Sequence, residues 1–335
     1  MSAEPLDDAA ALRATEAWFV RHGLPYFVPS EREAAHSALH ARRTLLMLAV
    51  TVLVALAGGV ALAWVAEDAA VAPTTLMVFV GLAVLAYGAT ALRAGPIAMW
   101  AVSRTLRSLP QLLPMATRAL PLLLVFVTFL FINAEVWEVS ARLDGAVMLL
   151  TVMLFAVVAV GFLLVRLPDE LDHADDISDE AVLVEACRHT PLEDRALTVR
   201  DESGRDEIAA RAEVRGFERA NLILVLMIAQ VVQVLLLALS VFTFFLVFGA
   251  VVMSQKTQEN WTDGTIRHVP WLDHLSIELV QVSVFLAAFS GLYFTVYAVT
   301  DEAYRDQFFR GVKHELERAV GVRAVYLTLR GRAAP

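Results

Sequence analysis

The sequence predicts an all-α polytopic membrane protein, a six-helix transmembrane bundle with a small α+β cytosolic appendage. Three observations carry this. Hydrophobic residues make up 58% of the 335-residue chain, above the roughly 45–50% of soluble domains. They are gathered into nearly uncharged blocks of the ~20 residues needed to cross ~30 Å of hydrocarbon at 1.5 Å per residue. The 27 basic residues are also divided unequally: all but Arg142, Lys256 and Arg267 fall on one predicted side. Positive residues stay on the cytosolic side, so both termini are expected there, in a plasma (inner) membrane.

The composition excludes some classes. A net charge of −9 offers no basic face to nucleic acid. The basic residues are almost all Arg, with Lys256 and Lys313 the exceptions. With the heavy use of Ala and Val, this is the composition of a GC-rich bacterial genome. One cysteine, Cys187, allows neither an internal disulfide nor a cysteine metal cage. In a cytosolic segment it reads as a small buried hydrophobe.

Residues 1–44 form a polar cytosolic arm without the apolar stretch of a signal peptide, so the first span is expected to act as its own insertion signal. A helix over Ala9–Val20 carries Leu12, Trp18 and Phe19, and Gly23-Leu24-Pro25 breaks it. Ser30 with Glu33 forms a capping box that starts a second helix running into the first span. Trp18, Phe19, Tyr26 and Phe27 suit either the lipid interface or packing against the cytosolic domain.

Residues 45–167 hold four spans: Leu45–Ala66, Val71–Leu92, Ala119–Val139 and Ala146–Leu167, with a cytosolic loop at 93–118. Residues 168–220 form a cytosolic middle loop. Residues 221–299 hold two more spans, within Asn221–Met253 and at Leu275–Val299, with an outer loop at 254–274. The fifth apolar stretch is long, but two spans and a turn need about 45 residues, so one tilted helix is predicted. Dividing it would also place the basic tail outside. Trp64, Trp137, Trp261 and Trp271 fall at predicted outer ends, as an aromatic belt does.

The middle loop opens on an acidic run, Asp169, Glu170, Asp172, Asp175, Asp176, Asp179 and Glu180. It lacks the glycine-punctuated loop of a calcium site and reads as a solvated linker. Ser178 is expected to cap a short helix. Residues 196–200 and 325–330 read as strands. A lone strand leaves backbone groups unsatisfied, so the two are expected to pair, tying the tail of 300–335 to the middle loop. Thr300–Val320 reads as an amphipathic helix leading into that unit.

Polar groups within spans are functional candidates by default. Asn133, Glu135 and Glu138 lie near the outer end of the third span. His274, Glu278 and Gln281 share one face of the sixth span's outer half. At matching depth they predict an acidic outer vestibule that attracts cations or relays protons; the plainer reading is snorkelling at the interface. Gln230, Gln233 and Ser240 on the fifth span read as helix–helix glue. Ser283, Ala287, Gly291 and Thr295 form a small-residue stripe, a close packing seam within the chain or between subunits.

Motifs for chemistry are sparse. Glu33, His36 and His40 put three weak metal-ligand candidates on one helix face, but other histidines are scattered. There is no P-loop, dinucleotide fingerprint or serine elbow, and no cofactor is implied. Arg93, Arg104, Arg107 and Arg118 suit anionic headgroups or plain topology signalling. Two functional readings follow: a channel or transporter subunit with an acidic outer vestibule, and a non-catalytic membrane scaffold whose arm, loop and tail bind partners. The expected partners are the bilayer, a cytosolic protein and a second copy. A lipid-modifying enzyme, built on His36 and His40, ranks third.

Overall fold

The computed structural model describes residues 7–39, 42–67, 69–90, 94–172, 180–202, 211, 213–270, 272–300 and 302–333. Two helices form the arm, α1 (Asp8–Arg21) and α2 (Pro29–Leu39), joined through a 3-10 turn at Pro25–Phe27. Then come α3 (Arg42–Ala66), α4 (Val71–Thr90), α5 (Ala94–Phe131), α6 (Ala134–Ala141) and α7 (Gly145–Asp172). Two short helices, α8 (Glu180–Ala186) and α9 (Glu193–Glu202), precede the long α10 (Phe217–Val252). After α11 (Gln255–Thr262), an antiparallel hairpin of β1 (His268–Val269) and β2 (Leu272–Ser276) leads to α12 (Ile277–Thr300) and α13 (Glu302–Ala333).

Five helices are long and apolar enough to cross a membrane: α3, α4, α7, α10 and α12. The bent pair α5–α6 makes a sixth if it counts as one span. α10 is continuous, so the long fifth stretch is one helix. It forms the bundle axis, packed along α12 and flanked by α5 and α7. The α10–α12 crossing is close because glycines face it. A Cβ on Gly291 would lie 3.3 Å from Val234, and one on Gly249 would overlap Leu279. α4 packs on α7 and α5, and α3 packs mainly on α4. The outer faces of α3 and α4 therefore display Leu53, Val60, Leu82 and Leu85, as lipid-facing helices do.

Three sequence expectations are corrected. First, the appendage contains no strand among its described residues: 196–200 lies in α9 and 325–330 in α13. The two segments do pack together, as helices. Strand-like apolar runs and buried helix segments share one short pattern, and length decides between them. α13 buries Val320, Val322, Ala324, Val325 and Tyr326, nearly all round, which hides a helical period. Second, the 93–118 loop is helical throughout its described part, within α5. Third, the third span does not run straight to Val139. The chain bends by 73° between α5 and α6.

The bend has a local cause. Asn133 is extended (φ −100°, ψ 122°), and its side chain accepts from the Val136 amide at 3.2 Å. Asn is a favoured N-cap, so it starts α6 rather than continuing α5. The Trp137 indole donates to the Phe131 carbonyl at 2.6 Å, satisfying an acceptor the helix end exposes. The Phe131 ring stacks on Phe245 and meets Trp137 edge to face, in a core that includes Val127, Val241, Leu279 and Leu286.

At the opposite end lies a second core. It joins Trp18, Phe19, Leu24 and Phe27 of the arm to Leu183, Cys187 and Leu192 of the middle segment and Val320, Val325 and Tyr326 of α13. Leu163 and Leu167 of α7 and Leu222 and Leu226 of α10 complete it. Phe19 sits edge-on to Tyr326 at 5.6 Å. Of the two readings of the arm aromatics, packing in this helical domain is the one observed. α2 begins at Pro29, one residue before Ser30, because proline suits the first helical position. Residues 40 and 41, between α2 and α3, lie outside the described residues.

Candidate functional site

The polar residues of the bundle fall into three places. At the hairpin end, Glu278 opens α12 and is buried at 4% exposure. A buried carboxylate needs a partner, and Arg267, arriving on the loop before β1, supplies it. The Arg267 Nε donates to Glu278 Oε1 at 3.0 Å, and its backbone amide donates to Oε2 at 3.2 Å. The other guanidinium nitrogens reach both oxygens of Asp144, at 3.0 and 3.1 Å. Gln281 donates to Asp144 at 2.6 Å and to the Leu143 carbonyl at 3.2 Å. One arginine thus ties the start of α12, the α6–α7 corner and the hairpin loop together. The guanidinium beside Asp144 holds its carboxyl below the usual range. The two carboxylates in turn push Arg267 up, Asp144 first.

Asn133, Glu135 and Glu138, three other members of the predicted vestibule, have different surroundings. Asn133 is spent on capping α6. Glu135 is exposed, and Glu138 pairs with Arg142 at 2.5 Å. His274 lies in β2, not on the α12 helix, so the helical spacing that grouped it with Glu278 does not apply. Its side chain is outside the described residues.

In the middle of the bundle, Gln230 is fully buried, and neither its Oε1 nor its Nε2 has a hydrogen-bond partner among the described residues. Gln233 Oε1 is likewise unpartnered. Ser240 is apart from them: it is exposed and donates to the Leu236 carbonyl of its own helix at 2.8 Å. Ser283, Ala287, Gly291 and Thr295 are buried. Gly291 faces Val234 and Ala238 of α10.

At the domain end, Glu218 and Asn221 stand one turn apart at the start of α10, both buried. Glu218 accepts from Arg32 of α2 and from Arg323 of α13, each at 2.6 Å. Arg323 also donates to the carbonyls of Arg211 and Glu213. Asn221 accepts from the Tyr26 amide at 3.0 Å and donates to the Gly23 carbonyl at 2.8 Å. These two side chains fasten arm, middle segment and tail to one span. Sequence reasoning missed them. A carboxylate and an amide beside an apolar run were the available signal, since such groups are expensive unless satisfied.

The weak metal candidates are only partly described. Glu33 and His36 are exposed, the His36 ring sits edge-on to Phe217 at 5.4 Å, and His40 lies outside the described residues. No group of three metal-type ligands occurs among the described residues. Cys187 is buried, and burial pushes its thiol up to about 12, which removes it from nucleophilic chemistry near neutral pH. His22 stacks on Trp18 at 4.0 Å, and burial lowers its pKa.

Fold and site define an all-helical protein of membrane type, with a helical domain at one end and a small hairpin cap at the other. No family model, curated protein or solved structure matches this chain.

Proposed function

We propose that the chain is a multi-pass protein of a bacterial inner membrane, both termini cytosolic, that serves as a non-catalytic scaffold. Its helical domain would be presented to a cytosolic protein partner. The observation that carries this reading is the Glu218 clasp. The arm and the tail are tied to one span by ion pairs to the buried Glu218, and the middle segment by hydrogen bonds to Arg323, giving a platform continuous with the bundle. Leu197 of α9 is 48% exposed on that platform, a position from which a bound partner is within reach. The outer carboxylates support it from the other side. Glu278 and Asp144 are closed by Arg267, which leaves them poorly placed to attract cations.

A photo-crosslinking residue at Leu197 tests the proposal in cells. A defined protein adduct, missing when the same residue replaces Trp64 at the hairpin end, is expected. No adduct would sink the scaffold reading. The sidedness is tested separately: a tag after Pro335 that is reachable from the cell exterior would overturn it.

The channel or transporter reading keeps one specific support, the unpartnered amide of Gln230 inside the bundle. Buried polar groups without partners are rare and often mark water or ion paths. Cation or proton flux in proteoliposomes that falls in Q230L would favour it over the scaffold.

A further inference from the structure

The first third of α5 has two unlike faces. Ile97, Ala101 and Thr105 recur every fourth residue and are 0%, 1% and 3% exposed. Met99 and Leu106 are 72% and 46% exposed. With Ala98 and Val102 they line a shallow, open groove beside Ser103 and Arg107. This face sits at a particular level. α4 is an apolar helix of 20 residues, about 30 Å long, so it spans hydrocarbon with nothing to spare. α5 begins beside its end, where a Cβ on Gly88 would lie 4.0 Å from Ala94. The start of α5 is therefore at the bilayer boundary. Its 38 residues measure about 57 Å, longer than one crossing, and its first part meets the helical domain through Trp100 against Gly23 and Arg104 against Glu315.

Two arginines on this stretch are used differently. Arg104 pairs with Glu315 of α13 at 2.8 Å. Arg107 is exposed and reaches back to its own helix, Nε to the Ser103 carbonyl at 3.2 Å and Nη2 to the Ser103 hydroxyl at 2.5 Å. Among the described residues no carboxylate pairs with it. A guanidinium has five N–H groups, so the two bonds to Ser103 fix its orientation and leave donors directed outward. An oriented guanidinium beside an apolar groove, at headgroup level, matches a phosphate above an acyl chain.

We propose that Ala98, Met99, Val102 and Leu106 with Ser103 and Arg107 form a subsite for an anionic phospholipid. The chain lies on the apolar wall and the phosphate accepts from Arg107. The inference rests on the membrane reading and is independent of the scaffold role.

Native mass spectrometry of the full chain in detergent, with phosphatidylglycerol or phosphatidylcholine added, tests it. The wild type should retain phosphatidylglycerol preferentially. R107Q should lower that retention about five-fold, the equivalent of one arginine at a charged lipid surface, while R104Q leaves it unchanged. Thermal melting of R107Q at the wild-type temperature would show that the exposed substitution leaves the fold intact. Equal retention of the two lipids by the wild type overturns the proposal, as does a preference that survives R107Q. Displacement of the lipid by millimolar inorganic phosphate would instead assign Arg107 to a soluble anion. Self-cross-linking of M99C would assign the groove to a second copy.

Discussion

Arg323 donates to Glu218 at 2.6 Å across 105 positions of sequence, and the charges on both side chains are almost fully hidden. Burying two charges is costly, and the pair is tolerated because Glu218 has a second arginine and Arg323 two carbonyls. Removing one partner from such a pair strands the other, at about 3–5 kcal/mol. E218A is therefore expected to destabilise the domain by about 3 kcal/mol. R32A should cost less, about 1 kcal/mol, because the Arg32 side chain is 38% exposed. Cys187 gives the readout. It is the single cysteine and is buried, so maleimide labelling follows opening of the domain. Labelling should accelerate in the order E218A, R32A, wild type; equal rates for all three would remove the clasp from the account.

The same core predicts an alkaline limit. Burial raises the Cys187 thiol from 9.0 to about 12. Burial, with the Glu16 carboxylate as acceptor, raises the Tyr326 phenol from 10.0 to about 12. Both groups are held protonated by folding, so their contribution is complete below pH 9.0 and 10.0 respectively. It is lost as pH climbs toward about 12, on the order of several kcal/mol in all. The apparent melting temperature should fall across that window, and C187A should shift the onset upward by removing the lower of the two titrations. A C187A profile superimposable on the wild type would refute the assignment to the thiol.

What the sequence made legible follows the strength of each physical signal. The apolar spans were plain because nothing soluble needs 36 nearly uncharged residues in one helix. The α9 and α13 segments were not legible because runs of five or six residues rich in apolar side chains fit a strand or a buried helix equally well. Helical spacing placed Glu278 and Gln281 together. The same spacing includes His274, because nothing in the sequence marks the start of α12 at Ile277. Arg267 is one of the three basic residues set apart from the rest in the sequence, but its assignment to Glu278 needs the hairpin that brings them together. Asn133 was read as an intramembrane polar group. Its capping role requires a helix end at that point, and the apolar run passing through it concealed one.

The hairpin end offers a contrast between two carboxylates on one arginine. The Glu278 side chain is 5% exposed and that of Asp144 59%. R267Q leaves the buried Glu278 without its cation, and a loss of about 3 kcal/mol is expected. D144N breaks only a solvent-screened pair, for which 0–1 kcal/mol is usual. The pH dependence has the opposite sign to that of the other end. Arg267 holds the Asp144 carboxyl below 3.8, so its contribution is complete above that value and is lost as pH falls through the lowered one. Melting curves at pH 7 should rank R267Q well below D144N. A drop in D144N as large as that in R267Q would mean that Asp144, not Glu278, is the carboxylate the arginine serves.

Glycine has opposite consequences at two helical positions. A Cβ on Gly321 would stand 2.5 Å from the Ala186 Cβ, closer than two methyl carbons approach. Both atoms are fixed to helical backbone, so α8 and α13 must separate. Overpacking of this kind costs about 1–3 kcal/mol, against a gain of up to about 1 kcal/mol for replacing a helical glycine by alanine. G321A should therefore destabilise the domain. A186G alone should also destabilise it by about 1 kcal/mol, yet the double variant should recover much of the G321A loss, because the two methyl groups are then never present together. Gly58 on α3 has nothing within 4 Å of its would-be Cβ. The backbone argument acts there unopposed, and G58A should be neutral or stabilising. A double-mutant cycle on residues 186 and 321, read by Cys187 labelling, separates close helix contact from propensity. Strictly additive effects would show that the methyl groups at 186 and 321 do not collide.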